Sequence, residues 1–351
     1  MISSSQPVWI AGDCWLMPGG AKVDLPTLWG GAFPELAILN LECSVPAGAP
    51  RPGRRALLEL APSRLAEITQ APQTVCVLAN NHTTDFGPEG LLATLQVLRQ
   101  SGALTLGAGA CLSEARAPVI VEVAGRRIGM LAYADTAPHV GSVAATDRDP
   151  GVAPLDPDMV TSDLKRLASQ VDDVWLFLHW GLEWIRFPEP AQRDLARSFA
   201  EAGADLVVGM HPHVARGNES ISNSHVYYSL GNFVFPPITL SDGAVLQWEK
   251  ECRQGLALEG IFDGDSWIWS EAPLLISRDG CPHRPGSADE EAMRRVFADL
   301  SAALKNEFGR GYPALRRKEM LRHYAWRLWT MGWLERFRLL GRGLRPAPRQ
   351  E

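Results

Sequence analysis

ADLVVGMHPHVARGNE, running from Ala204 to Glu219, decides how the rest of the chain is read. Leu206 to Val208 is a short, valine-rich apolar run of the kind that forms a buried strand. Gly209 closes it, and Met210 leads into His211-Pro212-His213. Proline fixes its own φ and pushes the residue before it towards extended geometry. In extended backbone, residues i and i+2 point to the same side. The pattern therefore predicts two parallel imidazoles leaving a strand end, a natural offer of nitrogens to metal ions. The competing reading is a pair of surface-loop histidines. Against it stand the other places in the chain where His, Asn, Asp or Glu follow a short apolar run.

Working outward, those runs are Val8 to Ala11 before Gly12-Asp13, Leu36 to Leu39 before Asn40-Leu41-Glu42, and Val75 to Leu78 before Asn80-Asn81-His82. Val174 to Leu178 precedes His179-Trp180-Gly181, and Val226 to Leu230 precedes Gly231-Asn232. Helices are predicted over Pro62 to Ala71, Pro88 to Ser101, Asp156 to Gln170 and Ala191 to Ala202. Pro118 to Val123 and Arg127 to Ala134 flank Gly125 as a hairpin. Pro46 to Arg55 and Asp135 to Asp149 read as loops. Strands alternate with helices to about residue 235, which predicts an α/β fold. After Gln254 the pattern changes to a hairpin, Gly255 to Phe262 and Trp267 to Ser277. Helices follow at Ser287 to Glu307 and Ala314 to Leu340. We expect one domain over 1–280 and a helical, basic, Trp-rich extension over 281–351.

The 351 residues, 46% of them hydrophobic, suffice for a large core. A net charge of -6 argues against general nucleic-acid binding. The 6 cysteines are scattered, with no C-x-x-C pair, which predicts a reducing compartment and no disulfide framework. MISSSQPVWIAGD has neither a basic start nor an apolar core, so no signal peptide is expected. No apolar run reaches the ~18 residues of a spanning helix. A cytoplasmic location follows as the expectation, with peripheral contact to the inner membrane as an addition.

Five polar clusters thus sit after strands: Asp13; Asn40 with Glu42; Asn81 with His82; His179; and His211 with His213. In open α/β sheets, ligands gather at the carboxyl ends of strands. Carboxylates, amide oxygens and imidazoles without a thiolate suit Zn, Mn, Fe or similar ions. The donors outnumber what one tetrahedral ion needs. A pair of ions sharing a carboxylate, about 3.5–4 Å apart, would use them and would suit phosphoryl or acyl transfer.

Set out in order, these pieces resemble a known family, the CapA-type capsule or poly-γ-glutamate biosynthesis proteins, a branch of the calcineurin-like metallophosphoesterases. The resemblance rests on Gly12-Asp13-Cys14-Trp15-Leu16, Asn40-Leu41-Glu42, Asn80 to Gly87 (NNHTTDFG), Gly107-Ala108-Gly109, His179 to Trp184 (HWGLEW), His211-Pro212-His213 and Tyr228 to Phe233 (YSLGNF). It implies an αββα sandwich of two mixed sheets flanked by helices, with a site for two divalent ions. It also implies that Asp13 and His213 hold one ion, that Asn81, His179 and His211 hold the other, and that Glu42 bridges. His82 would serve the leaving oxygen with Asp85 as orienting partner, and Asn40, Glu183 and Asn232 would support the site or touch substrate. One departure is visible: the wider superfamily has Asp-x-His at its first motif, and here Trp15 stands in the histidine's place.

The implied function is metal-dependent hydrolysis of a phosphoester by activated water, in capsule, exopolysaccharide or poly-γ-glutamate biosynthesis. Alternatives are γ-glutamyl amide hydrolysis or transfer, and a non-catalytic assembly factor of polymer-synthesis machinery that keeps the metal. Residues 314–349 mix arginines (Arg316, Arg322, Arg338, Arg345) with Trp326, Trp329 and Trp333. Such a helix either lies on an anionic membrane surface or packs its aromatic stripe on the domain.

Overall fold

The computed structural model describes residues 8–31, 33–306 and 311–330. Two mixed β-sheets face each other. The larger has the order Pro282–His283, Trp267–Ile276, Gln254–Phe262, Val8–Cys14, Leu36–Leu41, Gln73–Val77, Leu104–Leu106. The four strands from Val8 to Leu106 run parallel, and the three C-terminal strands add antiparallel. Asn232–Val234 pairs with the end of Val8–Cys14. The smaller sheet has the order Asn218–Ile221, Ser224–Tyr227, Leu206–Met210, Asp173–His179, Arg126–Ala134, Val119–Val123. It is parallel in the middle, with an antiparallel pair at each edge.

The central strands Val8–Cys14, Leu36–Leu41, Asp173–His179 and Leu206–Met210 are buried at every residue. Strands covered on both faces read as unbroken apolar runs rather than alternating ones, which is why they stand out in the sequence. The two sheets meet through Trp175, whose ring contacts Trp267 and Trp269 edge-on at 5.3 Å each. Helices Pro157–Ala168 and Pro190–Glu201 pack on the smaller sheet, and Gly87–Gln100 packs against the edge of the larger one. Each carries a proline at its first or second position, where the missing N–H costs nothing. Asp156 caps the first by accepting from Met159 N at 2.9 Å. The layers are those of an α/β sandwich, helix–sheet–sheet–helix.

Some expected elements differ in type or extent. Pro62–Glu67 is a 3₁₀ turn rather than a longer α-helix. Arg64 in this turn donates to the carbonyls of Met17, at 2.8 Å, and Ala21, so tertiary bonds shape the segment. The strand expected over Val226 to Leu230 is Ser224–Tyr227, and Leu230 lies beyond it, with an isolated bridge to Ala215 and backbone bonds to Gly209 and Leu256. All six cysteines are free. No described helix is long and apolar enough to cross a membrane. The final described helix, Tyr312–Thr330, turns Glu319 and His323 inward. The part of the basic, Trp-rich reading beyond Thr330, including Trp333, Arg338 and Arg345, lies outside the described residues.

Candidate metal centre

The site begins with a fault in the sheet. Between Ala11 and Asp13 the pairing with Leu36–Leu41 slips, so that Asp13 faces Asn40. Bulges of this kind re-aim a side chain and recur beside functional sites. Gly12 permits it, since a Cβ there would lie 1.9 Å from the Gly231 carbonyl oxygen. Asp13 and Asn40 are therefore inside their strands, not beyond them. Asn40 Nδ2 donates to Asp13 Oδ1 at 2.8 Å and lies 3.4 Å from Glu42 Oε2. Asn80 holds Asn40 in turn, donating to its Oδ1 at 3.1 Å. Two buried carboxylates are thus brought together by one amide.

The histidines reach this pair from the smaller sheet. His179 ends Asp173–His179, and its Nε2 lies 2.9 Å from Asn81 Oδ1. His211 follows Leu206–Met210 directly. The extended His-Pro-His geometry expected from Pro212 does not hold: His211 has φ 98° and His213 φ 56°. Their rings are inclined at 51°, with centroids 6.2 Å apart, so the imidazoles are not parallel. The left-handed backbone costs about 1–3 kcal/mol per residue and persists only where surrounding structure over-determines it. The His211 amide is aimed at the Asp13 carboxylate, 3.3 Å from Oδ2. His213 Nδ1 lies 2.8 Å from Asn232 Oδ1, and Asn232 Nδ2 donates to the Cys252 carbonyl at 3.0 Å. Asn232 is thereby fixed as the residue that orients His213.

Two groups of ligand atoms emerge, each within 4.8 Å of one another: Glu42, His179 and His211; and Asp13, Glu42 and His213. Glu42 is common to both. Its Oε1 and His211 Nδ1 are buried without a hydrogen-bond partner among the described residues. Buried polar atoms left unpaired are costly, and a cation is a partner both could accept. The donor set is nitrogen and oxygen only, and it fits divalent ions of the Zn, Mn or Fe kind. Trp15, two residues after Asp13, donates its indole N–H to the Glu59 carbonyl at 2.9 Å and leans on Phe235. Phe235 and Trp248 pack against the His213 ring at 4.7 and 5.3 Å. An aromatic wall backs this half of the centre instead of a further ligand.

The charge pattern agrees with a demand for cations. Burial first, and then Asp13, push the Glu42 carboxyl well above its ordinary range. Burial, together with the neighbouring histidines, holds His179 and His211 well below theirs, leaving neutral imidazoles with free lone pairs. His213 is pushed up to about 10, because Glu42 and Asp13 outweigh its burial. The carboxylates thus draw a positive charge into the centre.

Beside the centre stands a dyad. His82 Nδ1 is 2.7 Å from Asp85 Oδ2, while His82 Nε2 lies 3.9 Å from Glu42 Oε1. Asp85 also accepts from Leu58 N at 2.8 Å and from Arg54 Nε at 3.1 Å. Arg54 reaches the Asn81 carbonyl at 2.7 Å. Arg54 lies in a stretch that the sequence marks only as loop; its one signal is the three arginines of RPGRRA, Arg51 to Ala56, in an acidic protein. Asn80 stands out in the sequence only as a neighbour of Asn81, although it holds both Asn40 and the His82 amide.

The cleft above has two lobes. One of about 430 Å³ is lined by Arg54, Asn81, His82, His213 and Trp248. The other, of about 270 Å³, is lined by His211, Arg316, Met320 and Tyr324. Glu183, half-buried, stands on the rim between them and belongs to neither ligand group.

Residues 25–237 match the model of a family described as bacterial capsule synthesis protein PGA_cap. The chain belongs to this family. It is 33% identical over 238 residues to the capsule biosynthesis protein CapA of Bacillus anthracis, covering 67% of this chain and 54% of that protein. It is 37% identical over 240 residues to the PGA biosynthesis protein CapA of Bacillus subtilis (strain 168), covering 68% and 60%. The chain therefore matches between 54% and 60% of the length of these curated relatives. Among solved structures, a 5'-nucleotidase precursor from Thermus thermophilus is 16% identical with a TM-score of 0.42, over 85% of this chain and 59% of that one. The family match spans the candidate ligands from Glu42 to His213 and also Asn232, while Asp13 precedes it and helix Tyr312–Thr330 follows it.

Proposed function

We propose that this chain is a metal-dependent hydrolase acting on a phosphoester, in the service of capsule or poly-γ-glutamate synthesis. The observation that carries the reading is one oxygen. Glu42 Oε1 is buried and has no hydrogen-bond partner among the described residues, and the Nε2 atoms of His82, His179 and His213 lie 3.9, 4.0 and 3.9 Å from it. Asp13, Glu42 and His213 would hold one ion. Glu42, His179 and His211, with Asn81 at the edge of that set, would hold a second. Bound there, divalent ions polarise a phosphoryl oxygen and acidify water.

The chain's own residues supply the rest. Asp85 accepts Nδ1–H of His82, fixes the tautomer, and leaves Nε2 free towards the lobe that His82 lines. At that atom the neutral ring would take a proton from the attacking water and then pass it to the leaving oxygen, with the Asp85 charge stabilising the imidazolium between the two transfers. Burial lowers His82 and the Asp85 partnership only partly offsets it, so the imidazole is mostly neutral near pH 7, ready to take a proton. Arg54 and Arg55 give the larger lobe positive charge, which suits an anionic group. The names of the curated relatives support the link to a polymer pathway.

The test is a panel of p-nitrophenyl phosphate mono- and diesters, run beside a γ-glutamyl polymer with added Mn or Zn. We expect ester turnover that is lost in His82→Ala and His211→Ala. Turnover of the polymer alone would move the reading to amide chemistry. Tight metal binding without turnover of either would make the chain a metal-bearing assembly factor.

A further inference from the structure

Three non-glycine residues near the centre have left-handed backbone: Trp184, His211 and His213, with φ 63°, 98° and 56°. One hydrogen bond joins them. Trp184 N donates to the carbonyl of Pro212, the residue between the two histidines, at 2.8 Å. Trp184 is itself gripped from a remote element. His323, on helix Tyr312–Thr330, stacks on its indole at 4.5 Å and 6°. Arg322, one residue earlier, donates from Nη2 to the Trp184 carbonyl at 3.1 Å.

The grip has its own support. Glu249 accepts from Arg322 Nη1 at 2.8 Å and lies 3.2 Å from His323 Nδ1. Glu319, on the same helix, takes two bonds of 2.8 Å from Arg186, two residues beyond Trp184. Glu249, Glu319 and His323 are 2, 1 and 7% exposed, so these contacts are interior ones and not solvated surface pairs. A left-handed residue without glycine's freedom must be held from outside, and here the holder is a helix that begins 75 residues after the family match ends, at 312 against 237.

We propose that helix Tyr312–Thr330 is a clamp on the candidate metal ligands: Arg322 and His323 are positioning residues that act through Trp184 to hold the His211-Pro212-His213 turn. The proposal rests on the reading that these histidines hold metal. It assigns this C-terminal helix a role at the centre. Ligand orientation set by such supporting contacts governs metal affinity by about 10–100-fold.

The experiment uses the full chain and two independent readouts. The first is hydrogen exchange at the Trp184 amide, which needs no metal. The second is Mn²⁺ affinity by titration calorimetry. In His323→Ala we expect exchange at Trp184 to speed at least tenfold and Mn²⁺ affinity to fall at least tenfold. In His323→Phe, which keeps a flat ring on the indole, both should stay within threefold of the parent. If His323→Ala does not fold, Arg322→Ala, which leaves the stack in place, carries the same expectation. Unchanged Trp184 exchange in the alanine variants overturns the clamp. So does a His323→Phe variant as impaired as His323→Ala. A parent chain that binds no Mn²⁺, Zn²⁺ or Fe²⁺ sinks the metal reading instead, and the exchange arm still decides the clamp.

Discussion

Replacing Asp85 by Asn keeps the shape of the side chain and removes its charge. In the parent, Oδ2 accepts from His82 Nδ1 and Leu58 N, and Oδ1 accepts from Arg54 Nε. Asparagine has one oxygen and one NH₂. If its oxygen takes the Oδ2 place, the NH₂ faces the Arg54 N–H. If it flips, the NH₂ faces the Leu58 amide and the His82 ring N–H. Either way two donors meet in a pocket where Asp85 is 0% exposed. A buried donor left unpaired costs about 1–3 kcal/mol, so about 2 kcal/mol of stability should go. For a chain of 351 residues that is a fall of about 3 °C in Tm. Activity should suffer more, because His82 loses both its tautomer control and its counter-charge; a fall in kcat of about 10²–10⁴ is expected, the range for a lost acid–base group. The assay is kcat on an ester that the parent turns over, with Mn²⁺ affinity measured alongside. Affinity should stay within threefold, since Asp85 is in neither ligand group. A variant with kcat within threefold of the parent would refute the dyad's role. Loss of metal with activity would refute its separateness from the centre.

Further outcomes follow from other parts of the site. Asn232→Ala removes the acceptor that orients His213; metal affinity should weaken about 10–100-fold, measured by calorimetry, with little change in the fold. Gly209→Ala would place a Cβ 2.1 Å from the Tyr228 carbonyl oxygen, a backbone atom with no freedom to move. A melt should show a loss of about 3 kcal/mol or more, if the variant folds at all. Acid should release the C-terminal helix. Burial would raise the Glu319 carboxyl, but Arg186 and Arg322 outweigh it and hold it below its ordinary range. A depressed carboxylate contributes stability that is fully present above the unfolded value, about 4.3, and is lost as pH falls through the folded value. The Tm difference between the parent and Glu319→Gln should therefore shrink as pH drops from about 6 to about 3, and a constant difference would contradict the pairing.

Much of the fold is legible because central strands buried on both faces leave continuous apolar runs, such as Leu36 to Leu39. The short pieces are not. Leu104–Leu106 and Asn232–Val234, with three residues each, give no periodicity to read. The residues that line the centre can be named because each stands in the last residues of a strand or just after it, as Asp13, Asn40 and His179 do within their strands and His211 beyond Met210. Their backbone cannot. Proline's bias at Pro212 predicts extended geometry for His211, and the Trp184 amide and Asp13 carboxylate, distant in sequence, impose a left-handed turn instead. Arg54 and His323 are out of reach for the same reason: what makes them matter is a partner, Asp85 or Trp184, at 31 or 139 residues' remove along the chain.

The central claim is that two cation positions share Glu42. Elemental analysis of the purified chain after loading with Mn or Zn tests it most directly, run on the parent and on His211→Ala, His213→Ala and Glu42→Gln. Two ions are expected in the parent, one in each histidine variant, and a loss at both positions when Glu42 is changed. A parent that takes up no metal, or a Glu42→Gln variant that still carries both ions, would contradict it.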